Sequence, residues 1–156
     1  MAPHEQCQND TVLQSVIDDL VGSVQAQEGA ILLADEEESS LVFCVTSHTV
    51  ELVGMRQPLD RGIVSLVFSL QEPMVVEDVK SDARHDDAVD RRVGSVTENM
   101  LVMVVSDKTH RYGVMTAINS GKDAGFEPQD LAAYERYSEV VVRRLQELDR
   151  QEEGKE

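Results

Sequence analysis

Two rhythms of apolar residues alternate along this chain. After Asn9-Asp10-Thr11, which offers helix N-cap side chains, Leu13, Ile17, Leu20 and Val24 recur at spacings of four, three and four. Val12, Val16 and Val21 widen the stripe. The spacing predicts an amphipathic helix over residues 10–28, ended by Gly29. Two strands follow, Ala30–Ala34 and Leu41–Ser47, joined by the polar run Asp35-Glu36-Glu37-Glu38-Ser39-Ser40. A less regular stretch from His48 to Asp60 holds a short strand around Glu51–Gln57. Gly62–Leu70 reads as a short helix opened at Asp60-Arg61-Gly62 and stopped at Gln71-Glu72-Pro73.

Met74–Val79 is the next strand. Lys80–Asn99 is polar and turn-like, with a short helix near Asp86–Arg92. Strands over Met100–Ser106 and Tyr112–Asn119 flank Asp107-Lys108-Thr109-His110-Arg111. Glu127-Pro128 then opens a long helix, with proline at a favourable first position. Its stripe is Leu131, Tyr134, Ser138, Val141, Leu145 and Leu148, with Ala133, Tyr137 and Val140 beside it. About 25 residues of helix reach nearly 38 Å, more than a five-stranded sheet needs. The organisation expected is a disordered N-terminus over residues 1–8, one domain over 9–150, and a polar tail over 151–156.

Alternate residues of a strand face opposite sides of its sheet. Met100-Leu101-Val102-Met103-Val104-Val105 is apolar in both sets, so both faces must be covered. The terminal helices can cover one face as an adjacent pair. Residues 48–99, apart from their strand, must cover the other. Loops and short helices cover a sheet less tightly than long helices, so a pocket belongs on that side.

Composition narrows the function. Thirty acidic against 14 basic residues give a formal charge of −16, which disfavours nucleic acid as a partner. No run approaches the ~18 apolar residues of a membrane span, and the first residues carry no secretory pattern, so a cytoplasmic protein with no membrane partner is expected. Cys7, read as part of a loose terminus, and Cys44, inside an apolar strand, do not make a disulfide framework. Arg84-His85-Asp86-Asp87 with Asp90-Arg91-Arg92 reads as a charged surface loop rather than a metal site.

The ordered set Gly62-Ile63-Val64-Ser65-Leu66-Val67, Gln71–Val79, Asp82-Ala83-Arg84, Gly94–Leu101, Tyr112–Asn119, Phe126 and Asp130-Leu131 resembles a GAF domain from about Asn9 to Leu148. The resemblance implies an α+β, GAF/PAS-like fold: a central antiparallel sheet of five to six strands in the order 2-1-5-4-3 or close to it. The N- and C-terminal helices lie on one face, with loops and short helices over the other. It implies a sensory or regulatory module. Members bind cyclic nucleotides, tetrapyrroles, haem, small metabolites or nothing known, and often dimerise through their terminal helices. Cyclic-nucleotide-binding members carry Asn-Lys followed by Phe-x-x-x-Asp-Glu. Here Asn119, Phe126 and Asp130 are kept, while Ser120 and Leu131 replace lysine and glutamate, so the internal Lys–Asp pair is not expected in its usual place.

The expected function is therefore non-enzymatic: a small-ligand sensor relaying through its terminal helices, expected as a homodimer or with a signalling-protein partner. The expected pocket lining is Phe43, Ser65, Val76, Asp78, Thr97 and Met100. A one-residue slip would turn the strand members to the opposite face. The alternative is a ligand-free interaction module, either a homodimer or docked on a signalling protein, burying Leu13, Leu20, Val141, Leu145 and Leu148 between helices. A free methionine sulfoxide reductase-like enzyme is disfavoured, because two thiols in unlike settings rarely make a redox pair. The ligand or cofactor is not defined. No thiol lies beyond Cys44 to attach a bilin, and His48 and His85, the two histidines of the loop cover, do not form a haem motif.

Overall fold

The computed structural model describes residues 9–154 together with Glu5 and Cys7. Helix α1 spans Thr11–Val24. Asp10 caps it by accepting the Leu13 N–H at 3.0 Å. Gln25, at φ 55°, donates its N–H to the Val21 carbonyl and ends the helix four residues ahead of Gly29. The chain then enters β1 at once, over Ala26–Asp35. Gly29 is thus a strand residue rather than a helix stop. Its missing side chain is the space α1 packs into: a Cβ there would sit 2.7 Å from Val21 Cγ2.

Strand β2 (Ser40–Thr46) returns beside β1, and a short 3-10 turn over Val50–Leu52 leads to β3 (Arg56–Pro58). Helix α2 (Ile63–Leu70), β4 (Met74–Val76) and α3 (Ala88–Val93) precede the long hairpin β5 (Met100–Ser106) and β6 (Arg111–Ser120). Helix α4 runs from Pro128 to Glu153, so it takes in part of the stretch expected as a polar tail. Its start is a capping box in which Glu127 and Asp130 exchange bonds with each other's backbone. The short strand expected around Glu51–Gln57 is divided between the 3-10 turn and β3.

The six strands form one antiparallel sheet in the order β3-β2-β1-β6-β5-β4. The expected central order holds, with β3 added at the edge. Gly113 is required where β6 crosses β1, because a Cβ would lie 2.0 Å from the Leu32 carbonyl oxygen. The β1–β2 register skips a residue, since Ile31 faces Val45 and Leu32 faces Phe43. Cys44 is the bulged residue.

Both faces are covered. Ile31, Leu33, Leu101, Met103, Val105, Met115 and Ala117 point to α1 and α4. Ala30, Leu32, Met100, Val102 and Val114 point to α2 and the loops. The helix pair is pinned by Arg144, which donates to both Asp10 carboxylate oxygens at 2.7 to 3.2 Å. Ser138 of α4 donates to the Val104 carbonyl at 2.7 Å.

Two expectations are corrected on the helix side. Cys7 is not loose: it is 0% exposed and packs beside Cys44 in the helix-side core. The rest of segment 1–8, Glu5 apart, lies outside the described residues. Leu13, Leu20, Val141 and Leu145 fill the chain's own core, with Leu148 partly buried against it. The apparent surplus of apolar stripes arose because α1 and α4 pack on each other as well as on the sheet. Four of the five positions therefore have no surface to give a second subunit.

Candidate ligand-binding site

Between the sheet and its loop cover lies a cavity of about 710 Å³. Its floor is the loop-side face of the central strands: Ala30 of β1, Phe43 of β2, Met100 of β5, and Thr116 and Ile118 of β6. Its roof is Leu52, the first turn of α2 from Gly62 to Val64, the loop at His85-Asp86, Val89 and Asp90 of α3, and Ser95-Val96-Thr97. Gln27, Glu28, His48, Thr49, Gln57 and Asn119 complete the rim.

The cover is held by polar clasps. Asn119, near the end of β6, sits at φ 59°. Its Oδ1 accepts the Glu98 N–H at 2.7 Å, and its Nδ2 donates to the Val96 carbonyl at 2.9 Å and to Gln27 Oε1 at 3.0 Å. One side chain thus ties the last turn of the cover to β6 and β1. Glu28, 6% exposed, does the same on the other side. Its Oε2 accepts the Ser47 hydroxyl and the His48 N–H, and its Oε1 accepts the Thr49 N–H at 2.6 Å. Burial works to raise this carboxyl's pKa, but the donors from Ser47, Thr49 and His48 outweigh it and hold the group below the ordinary glutamate value.

Gln57 bridges the two halves of the roof, donating to the Arg61 carbonyl at 3.0 Å and to Asp86 Oδ2 at 2.9 Å. The Gln57 bond keeps the Asp86 carboxyl ionised to lower pH than usual. Asp90 accepts both the N–H and the hydroxyl of Thr97, at 3.0 and 3.1 Å, which folds α3 back onto the strand entry.

Of the six residues expected to line the pocket, Phe43, Thr97 and Met100 do so. Ser65, Val76 and Asp78 do not. The Ser65 hydroxyl turns to the Pro58 carbonyl at 2.7 Å. Val76 faces the correct side, opposite Met100, but lies in the apolar cluster one strand further out. Asp78 falls beyond the end of β4, where strand alternation no longer applies, and accepts the Ser81 N–H instead. Glu28 escaped sequence reasoning because the first helix was extended through it. Gln57 carries no local signal. His48 and His85, the two histidines of the loop cover, both line the cavity. Among the described residues no cluster of His, Cys, Asp or Glu could hold a metal ion.

The lysine missing after Asn119 is replaced from two positions on. Lys122 Nζ lies 2.7 Å from Asp130 Oδ2, so the Lys–Asp pair forms after all, by a longer route. Asp130 Oδ2 also accepts the Glu127 N–H at 2.9 Å.

A six-stranded antiparallel sheet, with its terminal helices behind and a clasped cavity in front, defines a small α+β domain. The model of the GAF domain family matches residues 8–145, and the chain belongs to that family. It is 31% identical over 85 residues to the cone cGMP-specific 3',5'-cyclic phosphodiesterase subunit alpha' of Mus musculus, and 31% over 84 residues to that of Bos taurus. Each match takes in 54% of this chain and 10% of the relative, so the chain spans about a tenth of the length of these curated relatives.

Solved structures share the fold. A methyl-accepting chemotaxis protein, residues 122 to 287, superposes with a TM-score of 0.77 at 18% identity, covering 94% of both chains. The second GAF domain of DevS from Mycobacterium smegmatis gives 0.71 at 14%, covering 92% of this chain and 96% of that one. A free methionine-R-sulfoxide reductase from Neisseria meningitidis in complex with its substrate gives 0.73 at 19%, covering 96% and 86%. Among the described residues no helix is long and apolar enough to cross a membrane.

Proposed function

We propose that this domain is a non-enzymatic sensor that binds a small molecule in the cavity and passes the event to its terminal helices. The observation that carries the reading is the cavity itself, roofed by segments that Asn119, Glu28 and Gln57 hold shut through side-chain bonds. Such bonds can be remade when a ligand arrives, whereas a packed core cannot. A route outward exists. Asn99, whose carbonyl accepts the Asn119 N–H at 3.0 Å, accepts the Ser120 N–H on its side chain at 2.8 Å. Ser120 in turn accepts the Lys122 N–H at 3.1 Å, and Lys122 pairs with Asp130 in the first turn of α4.

The reductase reading is weaker for a geometric reason. Both Cys7 and Cys44 belong to the helix-side core, on the face opposite the cavity, and among the described residues no thiol lines the cavity. Burial, with the neighbouring Cys7, pushes the Cys44 thiol far above the range of a thiolate nucleophile.

The decisive experiment combines native mass spectrometry of the purified protein with thermal melting against pooled metabolites. A co-purified molecule, or a rise of several degrees, is expected. Identical melting in every pool, with no bound mass, removes the reading. Turnover of free methionine sulfoxide by the protein would favour the enzyme instead.

A further inference from the structure

We propose that the cavity selects a cationic amphiphile: a small amine or guanidine carried on an apolar body, rather than a phosphate- or carboxylate-bearing ligand. The proposal rests on the cavity being a ligand site and names the chemistry it takes.

Three carboxylates line it, Glu28, Asp86 and Asp90, and among the described residues neither lysine nor arginine does. The only other ionisable side chains there are His48, whose Nδ1 is 3.3 Å from Glu28, and His85, whose Nε2 is 3.8 Å from Asp90. With three carboxylates and two histidines, the lining is negative whichever way the histidines are protonated. The first turns of α2 and α3 bring positive backbone potential to the roof, and at α3 it is met by Asp90 in that turn and by Asp86, which accepts the Ala88 N–H. Asp86 also stands against the α2 turn, its Cβ 3.5 Å from where a Cβ on Gly62 would lie.

A second observation is independent of charge. Thr116, on the floor, is 6% exposed, and its hydroxyl has no hydrogen-bond partner among the described residues. The hydroxyl opens onto the cavity, where an occupant that displaces water must offer it a polar atom or leave it unpaired. Thr116 faces Ala30 across the β1–β6 ladder and Ile118 faces Glu28, so Thr116 and Glu28 are diagonal neighbours on one face. An ammonium or guanidinium brings several N–H donors and no acceptor, which complements carboxylates and a hydroxyl able to accept. Phe43, Leu52, Met100 and Ile118 supply the apolar wall for its body.

The test uses three probes of one shape and different charge: 3-phenylpropylamine, 3-phenylpropan-1-ol and 3-phenylpropionate, titrated calorimetrically into the intact chain. The amine is expected to bind at least about tenfold tighter than the alcohol, and the propionate weakest. Asp90→Asn and Asp86→Asn are each expected to narrow the amine-to-alcohol affinity ratio about tenfold; because both side chains also hold the cover, through Thr97 and Gln57, the ratio rather than either absolute affinity is the readout. Alcohol or propionate binding as tightly as the amine overturns the amine assignment and leaves the cavity reading standing, as does an amine-to-alcohol ratio unchanged in both variants. Silence from all three probes, together with silence from the metabolite pools, overturns both.

Discussion

Single side chains decide whether the cover stays on this sheet. Glu28 holds the turn at residues 47–49 through three donors while nearly buried. Glu28→Gln keeps the shape and loses the charge-assisted bonds, so a loss of about 1–3 kcal/mol in urea unfolding is expected at pH 7. The acid limb gives a second check. The folded pKa of Glu28 lies below its ordinary 4.5, so its stabilisation is full above that pH and disappears as pH falls through the lower folded value. The variant should therefore lose less stability than the parent on acidification below about pH 4.5. Equal acid sensitivity in the two would contradict this account. Asn119→Ala should speed amide exchange at residues 96–98 far more than in α1, since it frees two clasp bonds on the cover and leaves the helix pair untouched. Gly113→Ala should cost about 3 kcal/mol, because backbone rather than a mobile side chain fills the space.

At the level of elements, periodicity carried most of the architecture. Every strand and helix anticipated from it has a counterpart, because a sheet apolar on both faces and two long stripes permit few other arrangements. Boundaries failed where a capping residue overrode composition. Gln25 ends α1 in a left-handed conformation that its identity does not advertise, and this moved Glu28 from a helix into the cavity rim. The site was legible only in part for a related reason. Alternation places Phe43 and Met100 correctly but says nothing past the end of a strand as short as β4, where Asp78 lies. The roof is built from sequence-distant polar pairs, such as Gln57 with Asp86, that leave no periodic trace. The Lys122–Asp130 pair lies on the same level, joining the end of β6 to the first turn of α4. Lys122→Met is expected to cost about 1 kcal/mol and to raise exchange in residues 128–131 without altering β5. Unchanged exchange there would show that the ion pair does not hold the helix start.

For the whole molecule, the two faces of the sheet divide the work. The helix side is a closed core in which Arg144 locks α4 to Asp10, and the loop side carries the hollow. Leu145 lies in that closed core, so Leu145→Asp should collapse the fold, with a loss exceeding about 4 kcal/mol, rather than split a dimer into folded monomers. Circular dichroism together with sedimentation distinguishes the outcomes. A folded monomer at native melting temperature would mean that the residue serves an interface after all.

β3 and β4, the outermost strands, pair over three residues each. Beyond them, Gly54 and Met55 exchange bonds with Phe43 on one rim, while Ser138 occupies the Val104 carbonyl on the other. A second chain approaching edge-on therefore meets no long open ladder to extend. Concentrated solutions should stay free of thioflavin-binding fibrils for as long as the native state persists.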